Sequence, residues 1–88
     1  EISFFEIQNI IKYRCGVCHA SKPTFEGIED PPLGLVFDNP VDILNNIDKI
    51  KAQSIESDIM PPGNLSGITI SERNKIANWI SQGAKINN

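Results

Sequence analysis

Methionine, histidine and tryptophan occur once each in these 88 residues, and cysteine only twice. A structural zinc site takes about four Cys or His ligands, which three such residues cannot supply. Positive charge is also scarce. Eight Lys and Arg stand against eleven Asp and Glu, for a net charge of −3, so the basic face of a nucleic-acid binder is missing. No apolar run approaches the roughly 18–20 residues that a membrane-spanning helix needs. The apolar run Leu35-Val36-Phe37 is too brief to build a sheet. An initiator Met and a signal peptide are absent too. Glu1 is therefore expected to mark a trimmed or excised start, with any anchor or address lying upstream. What remains is ordinary globular usage, 40% apolar and 22% charged, which excludes wholesale disorder. The length predicts a single domain over residues 1–88. A domain this small buries roughly 60–65% of its unfolded surface, so an additional stabiliser is welcome.

The rare residues are not scattered. Both cysteines and the histidine fall in one stretch, Cys15-Gly16-Val17-Cys18-His19. Cys-x-x-Cys-His is the attachment signature of c-type haem. Two thiols three positions apart on a helical turn reach the two vinyl groups of one porphyrin and form thioethers, and the next residue offers its imidazole to the iron. Two other readings compete for the thiols. A thioredoxin-like dithiol expects a βαβ context, which this chain lacks. A Cys15–Cys18 disulfide closes a loop too short to stabilise much.

With His19 on one side of the iron, the opposite position needs a donor, and no second histidine exists. Met60, the one methionine, stands before Pro61-Pro62, which fix the backbone and remove two N–H donors. A thioether is a soft ligand suited to haem iron, and His/Met ligation raises the reduction potential. The competing role for Met60 is a gap-filling core residue; lysine ligation or an open face is the other possibility. The second N–H of a ligating imidazole usually has an acceptor, for which a carbonyl of the Pro31-Pro32 segment is the candidate. Those prolines also read simply as a stiff turn.

Helical periodicity surrounds these residues. Ser3 is expected to cap a helix over Phe4 to Arg14, with Glu6 completing a capping box. Phe4, Ile7, Ile10, Ile11 and Arg14 form one stripe leading into the cysteine motif. Residues 20–33 are rich in turn formers. Asn39-Pro40 predicts the start of a helix carrying Ile43, Leu44, Ile47 and Ile50 to about Ala52. Residues 55–67 read as irregular. Thr69 and Glu72 predict a capping box for a last helix that presents Ile76, Trp79 and Ile80 on one face and stops at Gly83. The expected fold class is all-α, with helices and long loops around one haem, whose apolar faces would complete the core.

With Cys15, Cys18, His19 and Met60 in place, the chain resembles the class I (mitochondrial-type) cytochrome c family. The resemblance implies that the first and last helices pack together near the haem, through Ile7 and Ile11 against Ile76 and Trp79. It also implies that Arg14 lies near an exposed haem edge. A narrower likeness runs through Cys-x-x-Cys-His-Ala-x-x-Pro-Thr, Pro-Pro-x-Gly-x-x-Phe-Asp, Met60-Pro61-x-x-Asn64-x-x-Gly67-x-Thr69, Glu72-Arg73 and Trp79-Ile80-x-x-Gly83-Ala84. In that order these segments are similar to the C-terminal cytochrome c domain of bacterial membrane-bound urate oxidases. That likeness implies one covalent haem c in a periplasmic domain tethered through a larger membrane protein. The fused membrane part would be the electron donor, and a respiratory-chain component the acceptor. The alternatives are a freestanding periplasmic cytochrome c, the haem domain of another membrane dehydrogenase, and an open-site haem sensor or enzyme. Lys12, Arg14 and Lys22 flank the motif in sequence, as a docking patch or as a solvated face.

Overall fold

The computed structural model describes residues 2–57, 60–64 and 66–86, so the expected start at Glu1 lies outside the described residues, as do the side chains of Pro32 and Pro62. Ser3 opens helix α1, Phe4–Arg14, its hydroxyl accepting from the Glu6 amide. Glu6 sends its carboxylate to the last helix, where Lys75 Nζ donates to it at 2.7 Å. The predicted stripe is buried: Phe4, Ile7, Ile10 and Ile11 all face the core.

The helix predicted from Pro40 to about Ala52 is not continuous. Asn39 caps α2, Pro40–Asn45, and the path breaks at Asn46 before α3, Ile47–Ile50, which widens into a π turn over Lys51–Ile55. The cause is chemical. Asn46 Nδ2 donates to the Asp42 carbonyl at 2.8 Å, occupying the acceptor that the helix would offer to a backbone N–H four residues on. Apolar periodicity ignores such a local competitor, so Ile43, Ile47 and Ile50 keep their spacing across the break.

Helix α4, Ile70–Ser81, starts and stops as its sequence predicts. Thr69 N–H donates to Glu72 Oε1 at 2.9 Å while the Glu72 amide donates to Thr69 Oγ1 at 3.0 Å, a complete capping box. At the other end Gly83 takes φ +104, its amide donates to the Ile80 carbonyl, and the Ala84 amide donates to that of Trp79. These two bonds form a Schellman stop, which needs a left-handed residue at that position.

Four α-helices and no strand occur among the described residues. The core is one cluster of Phe4, Ile7, Ile10, Ile11, Ile43, Ile50, Ile68, Ile76 and Trp79, in which α1 and α4 pack together, with the Phe4 and Trp79 rings 5.7 Å apart. The radius of gyration, 12.1 Å, is that of a compact chain of this length. No described helix is long and apolar enough to cross a membrane. Cys15 and Phe37 rest against the same cluster, so the cysteine motif is built on the core.

Candidate functional site

The motif continues α1 by one further turn. Cys15 and Gly16 amides both donate to the Ile11 carbonyl at 2.8 Å, and the Cys15 carbonyl accepts from the amides of Cys18 at 3.2 Å and His19 at 2.9 Å. Both thiols therefore sit on one tight turn, unbridged and half-buried. Gly16 is dictated by space. A Cβ there would stand 2.7 Å from the Lys12 carbonyl oxygen, so a side chain would push the turn off the end of the helix. Burial pushes the Cys15 thiol up to about 12; the nearby positive charge of Arg73 opposes this and the Cys18 thiol adds to it. The unmodified Cys15 is thus a neutral thiol at neutral pH.

His19 is held on both sides by the loop that follows it. Its backbone carbonyl accepts from the Phe37 amide at 2.8 Å, and its Nδ1 lies 3.0 Å from the Leu35 carbonyl oxygen. A carbonyl only accepts, so Nδ1 carries the proton. In the neutral imidazole Nε2 then carries the lone pair. The Phe37 ring packs against the imidazole at 5.2 Å. The expected acceptor was a carbonyl of Pro31-Pro32; the residue that faces Nδ1 is Leu35. The Pro31 carbonyl instead accepts from the Gly34 amide at 3.0 Å, closing a tight turn in which Leu33 takes φ +58. The prolines form the turn, and the chain emerging from it supplies the acceptor. Further pins fix this loop: Thr24 and Phe25 amides donate to the Val17 carbonyl, and Ser21 Oγ donates to Asp38 at 2.5 Å.

Met60 lies in a second, separately anchored loop. Its amide donates to the Gln53 carbonyl at 2.9 Å, and its carbonyl accepts from Arg73 Nη1 of α4 at 3.0 Å. Pro61 is buried, and the turn beyond it carries two successive left-handed residues, Gly63 at φ +56 and Asn64 at φ +53. Glycine and asparagine tolerate that region best.

Arg14 joins the end of α1 to α4 and to the chain beyond Met60, a role that spacing alone does not identify. Arg14, for which the resemblance implies a place near an exposed haem edge, is part-buried and tied to two other segments. Its Nε pairs with Glu72 at 3.0 Å and its Nη1 donates to the Ser66 carbonyl at 2.7 Å, while Ser66 Oγ donates back to the Arg14 carbonyl at 2.5 Å. Its position on the buried stripe was the available signal. Lys12 lies over the Tyr13 ring, and both Lys12 and Lys22 are exposed.

Burial alone would raise the Glu72 carboxyl, but the Thr69 amide and the hydrogen bond and charge of Arg14 outweigh it and hold it below its usual 4.5. A carboxyl lowered by folding contributes stability above that value and loses it as pH falls through the folded-state value. Urea midpoints are expected to drop below about pH 4.5 less steeply in Glu72→Gln than in the parent. A half-exposed pair of this kind contributes about 0.2–1 kcal/mol. Identical acid profiles for the two proteins would count against the link.

Among the described residues, no three His, Cys, Asp or Glu side chains gather as a bare metal ion would require. No protein-family model, curated protein or solved structure matches this chain. The case for a function therefore stands on the residues themselves.

Proposed function

We propose that this domain carries one haem c, attached through Cys15 and Cys18 and ligated by His19 and Met60, and passes single electrons between partner proteins. The observation that carries the reading is the His19 imidazole, set one residue beyond the second thiol with its Nδ1 proton committed to the Leu35 carbonyl. That bond selects the tautomer with a lone pair on Nε2, as a metal-ligating histidine requires. The donor set fits a haem better than a bare ion. When bound, the porphyrin supplies four of the iron's six donors and the one-electron ferric/ferrous couple, so the protein need provide only two.

Each feature of the chain then has a task. The turn after α1 presents both thiols together, and the Phe37 ring limits rotation of the imidazole. Met60 has its backbone fixed at both the amide and the carbonyl, leaving the thioether as its adjustable part. A class I cytochrome c fold agrees with the all-α architecture and with the packing of α1 on α4. From the sequence likeness, we assign the domain to the periplasmic end of a membrane-bound urate oxidase. Its fused membrane part would donate electrons and a respiratory-chain component would accept them. The upstream coding sequence tests that assignment: a run of membrane spans supports it, and a signal peptide alone overturns it in favour of a freestanding shuttle.

Met60→Ala tests the ligand set. The matured variant is expected to lose its low-spin ferric spectrum, to bind carbon monoxide rapidly when reduced, and to show a lower reduction potential. A spectrum and potential equal to those of the parent would remove Met60 as ligand. Rapid carbon monoxide binding by the parent itself would favour the open-site sensor.

A further inference from the structure

We propose that Arg73 is the residue that positions Met60, gripping the loop by its backbone so that the thioether is presented at a fixed place. This inference rests on the haem reading and names a residue that the reading does not require. One nitrogen of the guanidinium, Nη1, spans two segments: it donates to the Ser54 carbonyl at 2.6 Å and to the Met60 carbonyl at 3.0 Å. Nη1 bears two hydrogens, so both bonds form at once. Ser54 is buried at the end of the turn following α3, while Arg73 lies in the first turn of α4, which is anchored by the Thr69–Glu72 capping box. Arg73 thus ties the Met60 loop to two regular elements.

The grip acts on the backbone of Met60 itself. The Met60 amide is held by the Gln53 carbonyl, one residue before Ser54, so both backbone contacts of Met60 run to the same short stretch of chain and to Arg73. Pro61, next in sequence, has no N–H to add a further bond. Without the cation, the Met60 and Ser54 carbonyls lose a charge-assisted donor, a stronger partner than a neutral N–H. The positive charge of Arg73 also bears on the Cys15 thiol. Arg14 serves the same loop further along, at Ser66, by a separate set of bonds.

The test compares matured wild type, Arg73→Lys and Arg73→Gln by two readouts. The first is the charge-transfer band between Met sulfur and ferric iron. The second is hydrogen exchange at the Met60 amide, with the Ile76 and Trp79 amides as references for global opening. In Arg73→Gln the band is expected to weaken or vanish, the reduction potential to fall with it, and Met60 exchange to accelerate by about tenfold or more while the reference amides stay unchanged. Arg73→Lys keeps the cation but not the planar fork, and is expected to fall between the two. A wild type without the band overturns the ligand assignment itself. A wild type with the band, beside an Arg73→Gln protein matching it in band and in Met60 exchange, overturns this inference alone. Uniform acceleration of all three amides with the band retained also overturns it, because that is the signature of a merely structural arginine. Should Arg73→Gln not fold, Arg73→Lys decides: exchange at Met60 as slow as in wild type overturns the inference.

Discussion

Produced in a bacterial host that attaches haem to Cys-x-x-Cys-His sequences, the chain is expected to gain the mass of one haem, and the Cys15→Ala/Cys18→Ala double variant none. The effect is all or none because the bond is covalent: each thiol adds across one vinyl group, sulfur to one carbon and hydrogen to the other. Geometry favours both additions. The Cys15 carbonyl accepts from the amides of Cys18 and His19, so the two sulfurs and the imidazole share one turn and are placed together. Single variants are expected to retain the haem through one thioether, at reduced yield. His19→Ala is expected to keep some covalent attachment but to lose the low-spin spectrum, since the turn survives without the imidazole. Intact mass spectrometry under denaturing conditions reads all five proteins. A wild-type mass equal to the bare polypeptide would end the haem reading and leave two unbridged thiols to explain. Timing matters as well. Folding half-buries the Cys15 thiol and pushes its pKa up, so attachment is expected to be faster on a chain that has not yet closed around the turn.

Trp79→Ala is expected to destabilise the domain by about 3–5 kcal/mol, the cost of removing a buried indole. Trp79 is 1% exposed, with its ring against Phe4 and its Nε1 donating to the Lys85 carbonyl at 2.9 Å. It therefore joins α4 to α1 by packing and to its own C-terminal turn by a hydrogen bond. Domains of this size have a total stability of only about 5–12 kcal/mol, so the variant is expected to be partly unfolded at warm temperatures. Trp79→Phe separates the two contributions. It keeps an aromatic ring in the seam and loses the bond to an exposed residue whose carbonyl can turn to water, so its cost is expected near 1–2 kcal/mol. Urea denaturation of the matured proteins measures both. A Trp79→Ala loss below about 1 kcal/mol would mean that the α1–α4 seam contributes little to the stability of the fold.

Local chemistry made much of this architecture legible in the residues. Ser3, Thr69–Glu72 and Gly83 mark helix ends by hydrogen bonds within a few positions, and those ends stand where the sequence places them. The α1 stripe and the Ile76–Trp79 face follow from a 3.6-residue period, which any compact fold must turn inward. Asn46 competes with its own helix through its side chain, a local signal that apolar periodicity does not carry. Arg14 and Arg73 were not legible in this way. Their partners lie in segments far along the chain, at Ser66, Ser54 and Met60, and the accepting groups are backbone carbonyls, which every residue possesses.

The sequence by itself determined an all-α domain, the ends of α1 and α4, the buried stripes, and the joint placement of Cys15, Cys18 and His19 on one turn. All of these depend on neighbours no more than a few residues apart. Tertiary structure alone decided that Leu35 rather than Pro31 or Pro32 faces the imidazole, that Arg14 pairs with Glu72, and that Arg73 holds the Met60 carbonyl. A backbone carbonyl carries no residue identity, so only the path of the folded chain selects which one meets a given donor.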